Sequence, residues 1–244
     1  MSKVYLIIGA SSDVGMEFIK QLNVIEKEAV FYAHYNSNIN WIESIIETNS
    51  NRIIPVKANL LHEEDIQRLI DFILQEGNIP SVLVHLPAPK LDFIKLKDLK
   101  WEDCIEDVNI QVGSALKIVQ AILPKMVKLQ ERTKVVFMLS ENTVVNHPAK
   151  FSTKYTMSKY MLLGFMKSLV VEYEGKNVNI NALSPSIIDT KLLNNIDRRM
   201  LEMTGITEKM LRPEDVVEHL IKLVSRESDD MYGENIYIPG KENC

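Results

Sequence analysis

The chain has 244 residues, 46% apolar and 25% charged, the balance of a soluble globular protein with enough length for one large core. Its formal net charge of -5 argues against a nucleic-acid footprint, and no apolar run reaches membrane-spanning length. Cys104 and Cys244 stand far apart, which argues against a disulfide framework and suits a reducing cytoplasm.

The elements alternate between strand and helix. Residues 4–9 (Val-Tyr-Leu-Ile-Ile-Gly) read as a buried first strand, followed by a Ser11-Ser12 turn and a helix over 14–22. A second strand spans 29–35, a helix 40–48, and a short strand 52–56. Residues 63–75 carry apolar side chains at helical spacing, 82–86 form a strand, and 109–129 hold a long helical stripe. The pattern continues with a strand at 135–139, a helix at 153–174, a strand at 178–183, a helix at 213–225 and a last strand at 235–238. No repeat or tail is large enough for a second domain. The pattern predicts an α/β fold: a single doubly wound Rossmann-type domain over 1–244, built on a mostly parallel central sheet. The less regular stretch 186–212, with Met200, Leu201, Met203 and Leu211, reads either as a cover over a substrate pocket or as a small surface subdomain.

Gly9 and Gly15 bracket Ala-Ser-Ser-Asp-Val after the first strand. Glycine there permits a tight turn and close approach to a diphosphate, and the following helix offers free N–H groups and its positive dipole end. Asp13 would repel a diphosphate, so the reading has it cap the helix and point away. The second strand ends His34-Tyr35-Asn36-Ser37-Asn38, with no acid at its tip for an adenosine ribose. Ser37 and Asn38 can donate to a 2′-phosphate, which favours NADP over NAD. Asn59, followed by Leu60, can bond an adenine amine or close a turn. The segment His85-Leu86-Pro87-Ala88 can wall the adenosine side, with His85 structural. No residue spacing marks a metal site.

Tyr155 and Lys159, four apart in Tyr-Thr-Met-Ser-Lys, share a helix face. An ammonium beside a phenol is expected to lower the tyrosine pKa and let it exchange a proton with a carbonyl or alcohol oxygen. Ser140 follows a strand end, where ligands bind in sheets of this type, and can hold the substrate oxygen. Asn109 can hold a water that links Lys159 to solvent. Each of these polar residues also has a plain alternative as a cap or a buried hydrogen-bonding group.

These residues together resemble the short-chain dehydrogenase/reductase family. Its Thr-Gly-x-x-x-Gly-x-Gly turn corresponds to Ile8-Gly9-Ala10-Ser11-Ser12-Asp13-Val14-Gly15, with Asp13 in place of the middle glycine. Its Tyr-x-x-x-Lys is intact as Tyr155 and Lys159. Its asparagine and serine match Asn109 and Ser140, although Asn142 lies nearer the usual interval from Tyr155. Its Asn-Asn-Ala-Gly is replaced by His85-Leu86-Pro87-Ala88, and its Pro-Gly by Pro185-Ser186. The resemblance implies catalysis by Asn109, Ser140, Tyr155 and Lys159. It implies cofactor contacts from Gly9, Ser11, Ser12, Val14, Gly15, Tyr35, Asn36, Ser37, Asn38, Asn59, Leu60, Tyr155, Lys159, Pro185, Ile188 and Thr190. Within the family the chain is loosely similar to 3-oxoacyl-acyl-carrier-protein reductases.

The expectation is an NAD(P)-dependent, cytoplasmic oxidoreductase that reduces a carbonyl to an alcohol with NADPH, on a free or carrier-bound substrate. The resemblance also implies a homodimer or homotetramer formed through the helices at 109–129 and 155–173, where Leu116, Val119 and Leu123 are either interface or core. Two other readings stay open: a nucleotide-binding regulatory or scaffold protein with little catalysis, and a dehydratase or epimerase of the same frame.

Overall fold

A computed structural model describes residues 3–39, 51–194, 196 and 210–241. The expected helix at 40–48, and Met200, Leu201 and Met203 of the covering segment, lie outside the described residues. Seven strands form one sheet: β1 (Val4–Ile8), β2 (Val30–Tyr35), β3 (Arg52–Lys57), β4 (Val82–His85), β5 (Thr133–Met138), β6 (Val178–Pro185) and β7 (Asn235–Ile238). Their order is β3-β2-β1-β4-β5-β6-β7, and every neighbouring pair is parallel.

The strand sequences explain the order. Val4–Ile8 is apolar at every position and buried at every position, as a central strand covered on both faces must be. β3 lies at the edge, and its Pro55 is tolerated there because an edge strand leaves one row of N–H groups unpaired.

Among the described residues the α-helices are α1 (Asp13–Ile25), α2 (Glu63–Gln75), α3 (Trp101–Val108), α4 (Ser114–Met126), α5 (Thr153–Glu172) and α6 (Pro213–Val224). One core joins α2, α4 and α5 to the sheet through Ile66, Ile70, Ile118, Ile122, Leu162 and Met166. The other joins α1 and α6 through Phe18, Ile19, Val216 and Leu220. Fully burying a side chain of this size contributes about 1.5–3 kcal/mol, so the two apolar layers clamp the sheet. The chain leaves β3 at one edge and re-enters as β4 on the far side of β1. That reversal opens a crevice at the carboxyl ends of β1 and β4, which places the site.

One helix begins earlier than its sequence pattern suggests. The stripe expected from Asn109 starts at Trp101, and α3 runs into a π turn (Asn109–Gly113) before α4. The π turn widens the helix by one residue per turn and changes which side chains face inward.

Candidate active site

The first turn of the site is built by backbone approach. Gly9 has φ +83, a conformation costly for any side chain, and a Cβ on Gly15 would sit 2.6 Å from the Gly9 carbonyl. Ser12 is the N-cap of α1 and accepts from Gly15 N–H at 3.1 Å. This corrects the expectation for Asp13, which occupies the first helical position, so its side chain is not the cap. Its carboxylate instead accepts from the backbone N–H of Lys191 at 2.7 Å and faces the Lys191 ammonium at 3.6 Å. His34 braces the same turn: Nδ1 accepts from Gly9 N–H at 3.0 Å, so Nε2 donates to the Ala58 carbonyl at 3.0 Å. Burial lowers the His34 pKa to about 4, which keeps that acceptor free of a proton at neutral pH. Nothing in the sequence singles out His34 for this role.

Two cavities meet at this turn, sharing Ser11, Ser12, Leu86, Ala88 and Lys90. The larger one, about 690 Å³, is lined by Gly9, Asn36, Asn59 and Leu60 among others. The other, about 380 Å³ and mainly apolar, holds Val14, Ser140, Tyr155, Lys159, Pro185, Ile188 and Thr190. Tyr35 lies half-buried at the end of β2, while Ser37 and Asn38 are exposed in the loop beyond it. Asn59 Oδ1 accepts from Leu61 N–H at 3.1 Å, closing the turn after β3. After β4, Leu86, Pro87 and Ala88 line the larger cavity, whereas His85, the last residue of β4, turns into the core against Ser114 and Phe137.

At the inner cavity, Tyr155 is half-buried and lines the wall together with Ser140 and Lys159. Burial pushes its pKa up to about 12, outweighing the downward pull of Ser140. This corrects the expected direction. Lys159 Nζ lies over the Tyr155 ring, 5.4 Å from its centroid, and donates to the Met138 carbonyl at 2.8 Å. Burial lowers the Lys159 pKa to about 7, so the pair stands at neutral pH as a protonated phenol beside an amine near its midpoint.

Ser140 joins the pair, whereas Asn142 serves the scaffold. Its amide donates to Ser152 Oγ at 3.1 Å and Thr156 Oγ1 at 2.9 Å, tying the loop after β5 to α5. Asn109 opens the π turn with its side chain exposed. The fully buried amide of that turn is Gln111, whose Nε2 donates to Ser158 Oγ at 2.8 Å. A helical count shows why: Gln111, Ser114, Ala115, Ile118 and Ile122 are all buried and follow a 3–4 spacing, and Asn109 falls off that face.

The fold is that of dinucleotide-binding α/β proteins, and a phenol, a hydroxyl and an amine converge beyond its strand ends. The profile of the short chain dehydrogenase family matches residues 3–201. A 3-oxoacyl-acyl-carrier-protein reductase of Thermotoga maritima is 26% identical over 245 residues, covering 98% of this chain and 96% of the relative. Dehydrogenase/reductase SDR family member 4 of Rattus norvegicus is 23% identical over 98% of this chain and 86% of its own length. A 4-hydroxyisoleucine dehydrogenase solved with NADH superposes with TM-score 0.83 at 19% identity, covering 98% of both chains. The L-sorbose reductase of Gluconobacter frateurii, solved with NADPH and L-sorbose, gives 0.83 at 17% identity over 98% of this chain and 95% of that one. The chain belongs to the short-chain dehydrogenase/reductase family and is an oxidoreductase of that family.

Proposed function

We propose that this protein reduces a carbonyl to an alcohol with a nicotinamide dinucleotide, NADPH by preference, on a 3-oxoacyl or related ketone substrate. The observation that carries this reading is the convergence of the Tyr155 hydroxyl, held protonated, with Ser140 and Lys159 on one largely apolar cavity. The residues fit the cofactor. The close Gly9–Gly15 packing leaves space above the N-terminus of α1 for a diphosphate, and the two adjoining cavities match a long, two-ended ligand. The bound nucleotide would supply the hydride.

The chain's own residues do the rest. Ser140 orients the carbonyl oxygen and stabilises charge growing on it. Tyr155 donates its proton to that oxygen, and the Lys159 cation lowers the energy of the phenolate left behind. Pro185, Ile188 and Thr190 line the cavity beside this pair and are assigned to the nicotinamide end. The preference for NADPH rests on the loop after β2, where Asn36, Ser37 and Asn38 offer donors and no acid repels a 2′-phosphate. Exposed Lys57, in register with Tyr35, adds a cation close by.

The test is nucleotide oxidation, with NADPH and NADH compared, against a panel of 3-oxoacyl thioesters and ketones. Tyr155→Phe should abolish turnover and leave nucleotide binding nearly intact; undiminished turnover in that variant would refute the assignment. Asp13 beside the diphosphate position favours a second reading, a nucleotide-binding regulator. Tight nucleotide binding with no turnover across the panel would decide for it.

Assembly as a homodimer or homotetramer is part of the same reading. Trp101, Ile105, Leu116, Tyr160 and Met161 are large apolar side chains exposed on α3, α4 and α5, whereas Val119 and Leu123 are core. No helix among the described residues is long and apolar enough to cross a membrane. A cytoplasmic location agrees with the reading, Cys104 being a free buried thiol.

A further inference from the structure

Behind the Tyr155–Lys159 pair lies a closed set of buried polar groups whose proton positions follow from counting. Ser114 Oγ donates its one proton to the Ile110 carbonyl at 2.5 Å. It therefore accepts from His85 Nε2, 3.1 Å away, which makes His85 the Nε2–H tautomer and leaves Nδ1 a bare lone pair. Ser158 Oγ likewise donates to the Tyr155 carbonyl at 2.9 Å, so Gln111 must donate to it through Nε2, leaving Oε1 as a bare acceptor. His85 is 1% exposed and Gln111 0%, and neither His85 Nδ1 nor Gln111 Oε1 has a hydrogen-bond partner. Buried acceptors without donors are rare because each forfeits its hydration, so two in one cluster call for a donor that visits them.

The cation in this cluster is Lys159, itself 1% exposed. One of its protons goes to the Met138 carbonyl. Met138 follows Phe137, which pairs in register with His85 on the adjacent strand, and Gln111 is bonded to the residue immediately before Lys159. We propose that His85 Nδ1 and Gln111 Oε1 are the inner acceptors for the protons of Lys159, reached through one water, and that both are positioning residues that hold its ammonium form beneath Tyr155. The exposed Asn109 is not placed for this.

The electrostatics agree with the geometry. Burial, and next the Lys159 charge, lower the His85 pKa to about 3, so this acceptor stays bare at any working pH. The charged and titratable groups acting on the cluster are Tyr155 on the same helix, His85 on β4, Asp107 on α3, which favours the Lys159 cation, and His34 on β2, which acts on His85. Asp107 is engaged by Lys154 at 3.4 Å.

The inference rests on the proton-transfer reading of Tyr155 and Lys159, but its test does not need turnover. The ¹³Cε resonance of Lys159, assigned by its loss in Lys159→Arg, is titrated in the ligand-free protein, alongside His85→Phe and Gln111→Met. Each variant removes one acceptor at similar volume, so the Lys159 midpoint should move toward acid by about one pH unit. His85→Asn, which keeps a short acceptor and serves if His85→Phe fails to fold, should move it less than Gln111→Met. Midpoints within 0.2 pH unit of the native value in all folded variants, a margin of roughly 0.3 kcal/mol, would overturn the proposal, whatever the enzyme's activity.

Discussion

The Asp13 carboxylate holds the Lys191 backbone N–H at 2.7 Å and faces its ammonium at 3.6 Å, joining the first turn of α1 to the segment after β6 across the mouth of the inner cavity. Where a diphosphate binds as proposed, the Asp13 carboxylate repels it and Lys191 partly offsets that repulsion. Lys191 is exposed, so screening keeps the effect modest. Asp13→Asn should tighten nucleotide binding, and Lys191→Met should weaken it, each by roughly threefold to tenfold and more strongly at low salt. Fluorescence titration with NADPH at two ionic strengths checks both signs; equal weakening by both variants would instead mark the contact as a mechanical latch.

The acid–base pair predicts a pH limb. Lys159, with its pKa lowered to about 7, is cationic below that value and neutral above it, while Tyr155, raised to about 12, stays protonated throughout. Reduction uses the Lys159 charge to stabilise the emerging phenolate, so kcat/KM for the nucleotide, which reports the free enzyme, should fall as pH rises through about 7. A flat profile up to pH 9 would mean that Lys159 keeps its proton well above that midpoint.

Much of this arrangement was legible in the sequence. β1, β4 and β5 announce themselves as largely apolar runs rich in β-branched residues, and the Tyr155–Lys159 spacing places both on one helix face. What was not legible depends on partners distant in the chain. Asp13 reads as a cap until Lys191, far along the chain, arrives to meet it. The Tyr155 shift depends on how deeply the phenol is buried, and a local spacing cannot report that. α3 was hidden because Glu102, Asp103, Glu106 and Asp107 make 101–108 look like a charged loop. Gln111 did leave a signal, its register with Ile118 and Ile122, but the asparagine two residues earlier masks it.

His34 and His85 also tie stability to pH. Both have pKa values in the folded state far below the ordinary 6.5, at about 4 and about 3, chiefly through burial. The unfolded chain therefore binds more protons between those values and 6.5. Stability is fully present above 6.5 and is lost as pH falls toward 4 and then 3. The slope approaches roughly 1.4 kcal/mol per pH unit for each histidine. Urea denaturation at pH 7, 6 and 5 should show the midpoint falling, and His85→Asn should remove part of that slope.

Two glycines should respond oppositely to the same added methyl group. At Gly15 the new Cβ meets the Gly9 carbonyl at 2.6 Å and Ala10 Cα and O at 2.8 Å, all backbone atoms that cannot rotate away. Gly15→Ala must push α1 off the first turn, destabilising the protein by about 2 kcal/mol or more and loosening nucleotide binding. Gly164 lies on the exposed side of α5, and a Cβ added there would meet nothing within 4 Å. There alanine removes backbone freedom from the unfolded chain at no steric cost within the protomer, so Gly164→Ala should stabilise the protomer by about 0.5–1 kcal/mol. Thermal unfolding of the two variants side by side checks this. Stabilisation at Gly15 would show that the turn is looser than the close packing of Gly9 and Gly15 requires, and with it would go the argument that this turn is shaped for a diphosphate.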